Sequence, residues 1–158
     1  MKSASMPHTS GRITAYALVS IFIASLIPIL PLYAHQSDST IGSTRSKAAT
    51  HHEIVMMLMK KKQYGQAATE AHKIFEMSWP EDQEPLLLKE LLLISGQFRM
   101  QGQAPMGLEF IEKNSKCFKQ TPSRIAILKE KGWLYKTMNQ DAKAIDCFRK
   151  AQEIEDKN

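Results

Sequence analysis

Two cysteines in 158 residues, Cys117 and Cys147, are too few for a disulfide-rich scaffold or a site of four thiolate ligands. Seven glycines and seven prolines exclude collagen-like and low-complexity classes. Val and Thr are scarce, and no stretch alternates apolar and polar residues with period two between turn signals, so no sheet is expected. Neither sign of charge dominates. Lys and Arg total 21 against 16 Asp and Glu, a formal net charge of +5, and the two signs are interleaved rather than gathered into the basic stripe of a duplex binder. Catalytic signatures are missing as well. There is no phosphate-cradling Gly-rich motif and no serine elbow, and the acids stand singly or in the loop Glu81, Asp82, Glu84, read as solvated or as capping the helix that begins near Pro85. The expectation is a chain that is no enzyme, holds no cofactor and binds no nucleic acid.

His51, His52 and His72 with Met56, Met57 and Met59 are residue types that suit copper. Met56 and Met59, however, lie one helical turn apart as core or groove residues do, and adjacent histidines cannot share a helix face, so no metal site is expected.

What the chain does have is an apolar start and a helical remainder. Ile13 to Ala34 is a run of 22 uncharged residues preceded by Lys2 and Arg12 and by no acid. It is long enough to span a bilayer, while Pro28 and Pro31 ahead of the small residue Ala34 suit signal cleavage. Residues 1–34 therefore read as a signal peptide or an N-terminal membrane anchor. In either case the rest is exported, since the basic N-terminus stays in the cytoplasm. Residues 35–47 are polar and rich in Ser and Thr, which reads as a flexible linker.

Beyond that point apolar residues recur every three or four positions, as in Ile54 and Leu58, in Leu91, Ile94 and Phe98, and in Ile145 and Phe148. Breaks fall at 63–65, 79–85, 102–105, 121–123 and 139–141, which divides residues 48–158 into six helices. Thr121 followed by Pro122 suits an N-cap and first turn.

The last two helices carry a pattern. Leu128, Gly132, Tyr135, Ala144, Phe148 and Ala151 follow the spacing of the tetratricopeptide repeat, in which small and aromatic residues mark a helix-turn-helix unit. The chain resembles that family. Departures are Leu128 for the usual Trp, Lys131 for the Leu before the glycine, Asn139 for the turn glycine, and no terminal Pro. Carried upstream, the register places Leu91, Ile94, Ser95, Phe98, Gly102, Gly107 and Ile111 in a middle unit, and Leu58, Tyr64, Ala67, Ala71 and Ile74 in a first. The units cover 48–81, 88–121 and 125–158, with Ala67, Gly107 and Ala144 in matching places 40 and 37 residues apart. The resemblance implies an all-α fold, a short right-handed superhelix of three repeats. Ala67, Phe98, Gly107, Gly132, Tyr135, Ala144 and Phe148 would pack each repeat, and Cys117 and Cys147 would stand as separate buried thiols.

In this family the first helix of each pair lines a concave surface that holds a partner peptide or helix. The resemblance places there His52, Met56, Met59 and Lys60, then Lys89, Leu92, Gly96, Arg99 and Met100, then Lys129, Trp133, Lys136 and Thr137. Every formally charged residue in that set is basic, which implies a protein partner that is partly acidic and partly apolar, anchored on Trp133 and Leu92. Two functions follow. One is a non-catalytic interaction module in the bacterial periplasm or envelope. The other is a membrane-anchored structural subunit or assembly factor that oligomerises through its repeats, for which Ile145, Phe148 and Ile154 on the last helix would supply an uncovered apolar end.

Overall fold

The computed structural model describes residues 30–157, with side chains from Thr40 onward. Six α-helices and two single 3-10 turns make up the described part, and no strand occurs in it. The helices are α1 (Leu30–Lys60), α2 (Tyr64–Glu76), α3 (Glu84–Met100), α4 (Ala104–Asn114), α5 (Thr121–Thr137) and α6 (Asp141–Glu155). Residues 1–29, which hold most of the expected signal or anchor, lie outside the described residues, and Asp38–Asn158 form one compact unit. Among the described residues no helix is long and apolar enough to cross a membrane.

Five breaks separate the six helices as expected, but each begins ahead of the expected position and the one expected at 121–123 lies wholly upstream of Thr121, because Pro85, Pro105 and Pro122 each sit inside a first helical turn, where a missing N–H costs nothing. The polar stretch 35–47 departs from expectation, being part of α1 rather than a linker. Composition concealed a helical stripe there. Ile41, Thr44 and Ala48 are half-buried at spacings of three and four and lead into buried Val55 and Met59. Arg45 on the same helix donates to Gln83 Oε1, ahead of α3.

Each odd-numbered helix is joined to the next by a three-residue turn, and the three turns are built alike. Lys62, Gly102 and Asn139 occupy the middle position with φ of 58°, 73° and 58°. Their N–H groups donate three residues back, to Met59, Arg99 and Lys136, at 2.9, 3.1 and 3.0 Å. The residues that follow, Gln63, Gln103 and Gln140, donate five residues back, to Leu58, Phe98 and Tyr135, at 2.9, 2.8 and 2.9 Å. This left-handed closure uses carbonyls that a helix end would otherwise leave unpaired. The carbonyls of the same three Gln residues then accept the first bond of the next helix, from Ala67, Gly107 and Ala144.

Packing follows chain order. α3 lies against α4 and α5 against α6, while α5 also touches both α3 and α4, and α2 touches α3 and α4. The contacts are close where side chains are small. A Cβ on Gly107 would stand 2.9 Å from Leu134 Cδ2 and 3.2 Å from Phe98 Cβ, and one on Gly132 would stand 2.7 Å from the Phe148 ring. Ala67, Phe98 and Ala144 are buried, whereas Tyr135 and Phe148 are half-buried. Phe75 joins α2 to α4 through an edge contact with Phe110 at 5.5 Å, and Phe98 of α3 approaches the same ring at 6.0 Å.

The last helix covers more of itself than expected. α6 buries Ala144, Cys147 and Ala151, its exposed positions include Lys143, Asp146, Arg149, Lys150 and Glu153, and Ile145 is its one exposed large apolar residue. Phe148 lies against Gly132 and Trp133.

Two sets of substitutions test these contacts. Gly107→Ala and Gly132→Ala should each cost on the order of 1–3 kcal/mol by overpacking. Gly96→Ala, whose Cβ would meet nothing within 4 Å, should gain about 0.5–1 kcal/mol from helix propensity. Chemical denaturation measures both, and a harmless Gly132→Ala would refute the close approach of α5 and α6. At the turns, Lys62→Gly should stabilise by up to about 1 kcal/mol by removing the strain of a left-handed lysine, and Gly102→Ala should lose a similar amount.

Candidate partner-binding face

Of the six large apolar residues left exposed among the described residues, five stand on α1, α3 and α5, namely Met57, Leu86, Leu93, Met100 and Trp133. The first helix of each pair thus carries most of the large apolar side chains that stay exposed. Trp133 is 47% exposed yet held on two sides, by the edge of Phe148 at 5.4 Å and by the Lys136 ammonium 5.1 Å over its ring. A cavity of about 730 Å³ lies between α1 and α3, bordered by Ala49, His52, Trp79, Leu86, Lys89 and Leu93. Trp79 keeps its indole in the wall by donating Nε1 to the Ile74 carbonyl at 2.7 Å, at the end of α2.

The expected contact residues divide into two groups. Lys60, Lys89, Met100, Lys129, Trp133, Lys136 and Thr137 are exposed, and Gly96 is half-buried beside open space. Met59 is in the core, and His52, Met56, Leu92 and Arg99 are half-buried. On α1 and α3 the exposed apolar positions are one residue further on, at Met57 and Leu93. Nothing in the sequence marked Leu86 or Leu93 among three consecutive leucines on either side of Lys89 and Glu90.

The face is also less basic than its residues suggest, because acids from neighbouring helices meet several of the cations. His52 Nδ1 is 2.5 Å from Glu90, Arg99 Nε is 3.6 Å from Glu130, and Lys129 Nζ is 2.6 Å from Glu155. Lys60, Lys89 and Lys136 have no ion pair among the described residues.

The histidines converge on no common point. His51 on α1 reaches Glu70 of α2 at 2.5 Å, its neighbour His52 reaches α3, and His72 of α2 meets Asn114 of α4 at 2.6 Å. Adjacent residues on a helix point about 100° apart, so His51 and His52 bind α1 to two different helices. Glu70 is held below the usual carboxylate range by hydrogen bonds from Lys73 and His51. Among the described residues no three His, Cys, Asp or Glu side chains gather as a metal site would need. Both cysteines are free. Cys147 is buried, whereas Cys117 is exposed rather than buried as expected; its sulfur still turns inward to the Phe75 carbonyl at 3.6 Å, and desolvation raises both thiols.

Of the three acids before Pro85, only Glu84 departs from both roles expected of them. Glu81 and Asp82 are exposed, but Glu84 is buried and caps a different helix. Its carboxylate accepts the N–H groups of Lys119 and Gln120, both at 3.0 Å, at the start of α5. Thr121, expected as the N-cap, is already inside α5, whose N-cap residue Gln120 offers no side-chain bond. Glu84 therefore fixes the N-terminus of α5 against that of α3, which sets the spacing of the face between them.

No family model matches the chain, and neither a curated protein nor a solved structure shows a significant match to it.

Burial alone would raise the Glu84 carboxyl, but Ser123 and the two backbone donors outweigh it and hold the group below the usual carboxylate range. A carboxyl depressed by folding stabilises the fold above its unfolded-state pKa, and that contribution is lost as pH falls through the lowered folded value. Glu84→Gln should cost about 1.5–3 kcal/mol at neutral pH. The loss should shrink on acidification, when the native carboxyl is protonated too. Urea melts of both proteins between neutral and acid pH measure this, and a pH-independent difference would refute the cap.

Proposed function

We propose that the chain is a short right-handed solenoid of three tetratricopeptide-like repeats and works as a non-catalytic protein–protein interaction module, exported to the bacterial periplasm or envelope. Its first helices hold a partner segment that is partly apolar and partly acidic. The observation that carries the reading is the placement of exposed large apolar side chains, five of six among the described residues on α1, α3 and α5, together with Lys60, Lys89 and Lys136, which have no ion pair among the described residues. Exposed apolar surface gathered on one set of helices is characteristic of an interface. The three alike turns and the small residues at Gly107 and Gly132 support the repeat reading, because a repeated unit must close and pack in the same way each time.

Trp133 and Lys136 offer an anchor and an orienting charge of the kind that dominates interface energetics. Site-specific photo-crosslinkers at Lys136 and at Arg149 on the outer side of α6 compare the two faces in envelope extracts. Crosslinks to a discrete partner from Lys136 and none from Arg149 are expected. With that partner isolated, Trp133→Ala should speed dissociation by an amount worth on the order of 2 kcal/mol, and Lys136→Glu should slow association and weaken its salt dependence. Crosslinks from Arg149 alone would place the interface on the second helices and refute the reading.

A further inference from the structure

One side of α3 has a more specific pattern than general stickiness. Leu86, Leu93 and Met100 are 42%, 38% and 74% exposed and follow one another at intervals of seven residues. Lys89 and Gly96 lie between them, also seven apart, and all five fall on one stripe because alternating steps of three and four return to the same helix face. A Cβ placed on Gly96 meets nothing within 4 Å. Along its axis the stripe therefore presents an apolar knob, a cation, a second knob, an open notch and a third knob, with knobs about 10 Å apart.

We infer that this stripe is a docking seam for an amphipathic helix of a partner protein, with a bulky apolar side chain of that helix in the notch at Gly96 and a carboxylate over Lys89. The inference rests on the reading that the first-helix face binds a protein, and it names the segment that binds.

A seven-residue spacing suits a helix laid alongside α3, since facing helices interlock knobs and holes at that period. An extended strand has no sheet edge to join among the described residues. A small amphiphile would fill the cavity between α1 and α3, but the cavity is bordered by Leu86, Lys89 and Leu93 and stops short of Gly96 and Met100. Such a ligand would leave two of the five stripe positions unused.

The charges around the cavity fix the sign of the partner. Glu90 is already hydrogen-bonded to His52, and Arg45 is bonded to the neutral amide of Gln83, so its charge is not compensated there. Glu53 borders the cavity from α1 with no ion pair among the described residues. An acidic side chain is therefore favoured on the α3 side, over Lys89 and away from Glu53, which also orients the incoming helix.

The test uses the purified full chain and a fluorescent synthetic peptide of about three heptads, with Leu at the a and d positions and Glu flanking them. A second peptide carries Lys in place of each Glu, and dodecanoate serves as a competitor. Fluorescence anisotropy should show the Glu peptide binding and the Lys peptide at least about tenfold weaker. Gly96→Trp should fold as the native chain does, because the space is open, and lose about tenfold or more in affinity by filling the notch. Leu93→Asp should do the same by breaking the middle knob. Lys89→Glu should reverse the preference and favour the Lys peptide, a swap that a merely sticky surface would not produce. Equal binding of both peptides, indifference to Gly96→Trp and Leu93→Asp, or displacement of the peptide by dodecanoate would overturn the inference. If those results came together with partner crosslinks at Lys136, the face reading would stand and only the seam would fall. Crosslinks confined to Arg149 would instead remove the face reading, whatever the peptides did.

Discussion

The left-handed residue in each three-residue turn is the constraint on which the remaining architecture depends. With Lys62, Gly102 and Asn139 at positive φ, the chain reverses while the last carbonyls of one helix are taken up by bonds three and five residues long. The reversal fixes where the next helix starts. It therefore also fixes which residue comes nearest the preceding helix, and at Gly107 the approach leaves less than 3 Å for any added carbon. Small residues recur at Ala67, Gly107 and Ala144 for that geometric reason. Once both helices of a pair are placed, their shared side is buried and the outer side of the first helix is left free for another use.

Polar groups between helices add a second level of order. Glu84 closes the N-terminus of α5 from α3, Lys131 of α5 reaches Glu112 of α4 at 3.0 Å, and His51 and His52 tie α1 to α2 and α3. These bonds also account for the lysine at position 131, where the resemblance alone would lead one to expect leucine. Lys131 is only half-buried and its ammonium has an acid to meet, so the position needs no apolar side chain. They also explain why a face that reads as uniformly basic retains only some free charge.

Much of the fold was legible in the sequence because its signals are local. Apolar spacing, three prolines in first turns and the Gly and Asn residues at reversals act within a few positions, and six helices follow from them. The linker reading of 35–47 failed for the opposite reason. Composition averages over all faces of a helix, and a stripe of Ile41, Thr44 and Ala48 with polar residues elsewhere has the average of a linker. Glu84 was hidden as well, since the donors it accepts from lie 35 and 36 residues downstream.

The shift of the exposed leucine from position 92 to 93 illustrates what a register alone omits. Position 93 of α3 corresponds to Glu130 of α5, since both precede the left-handed turn residue by nine. Yet Glu130 is covered, its side chain 12% exposed beneath Arg99 and bonded by Ser95 at 3.0 Å, whereas Leu93 faces the cavity between α1 and α3. Equivalent places in successive pairs thus have different neighbours: between α3 and α5 the gap is closed by a serine and an arginine, and between α1 and α3 it stays open. Burial at such a position is decided by the pair that precedes it, so the exposed surface is a property of the joint between pairs and not of the helix pair by itself.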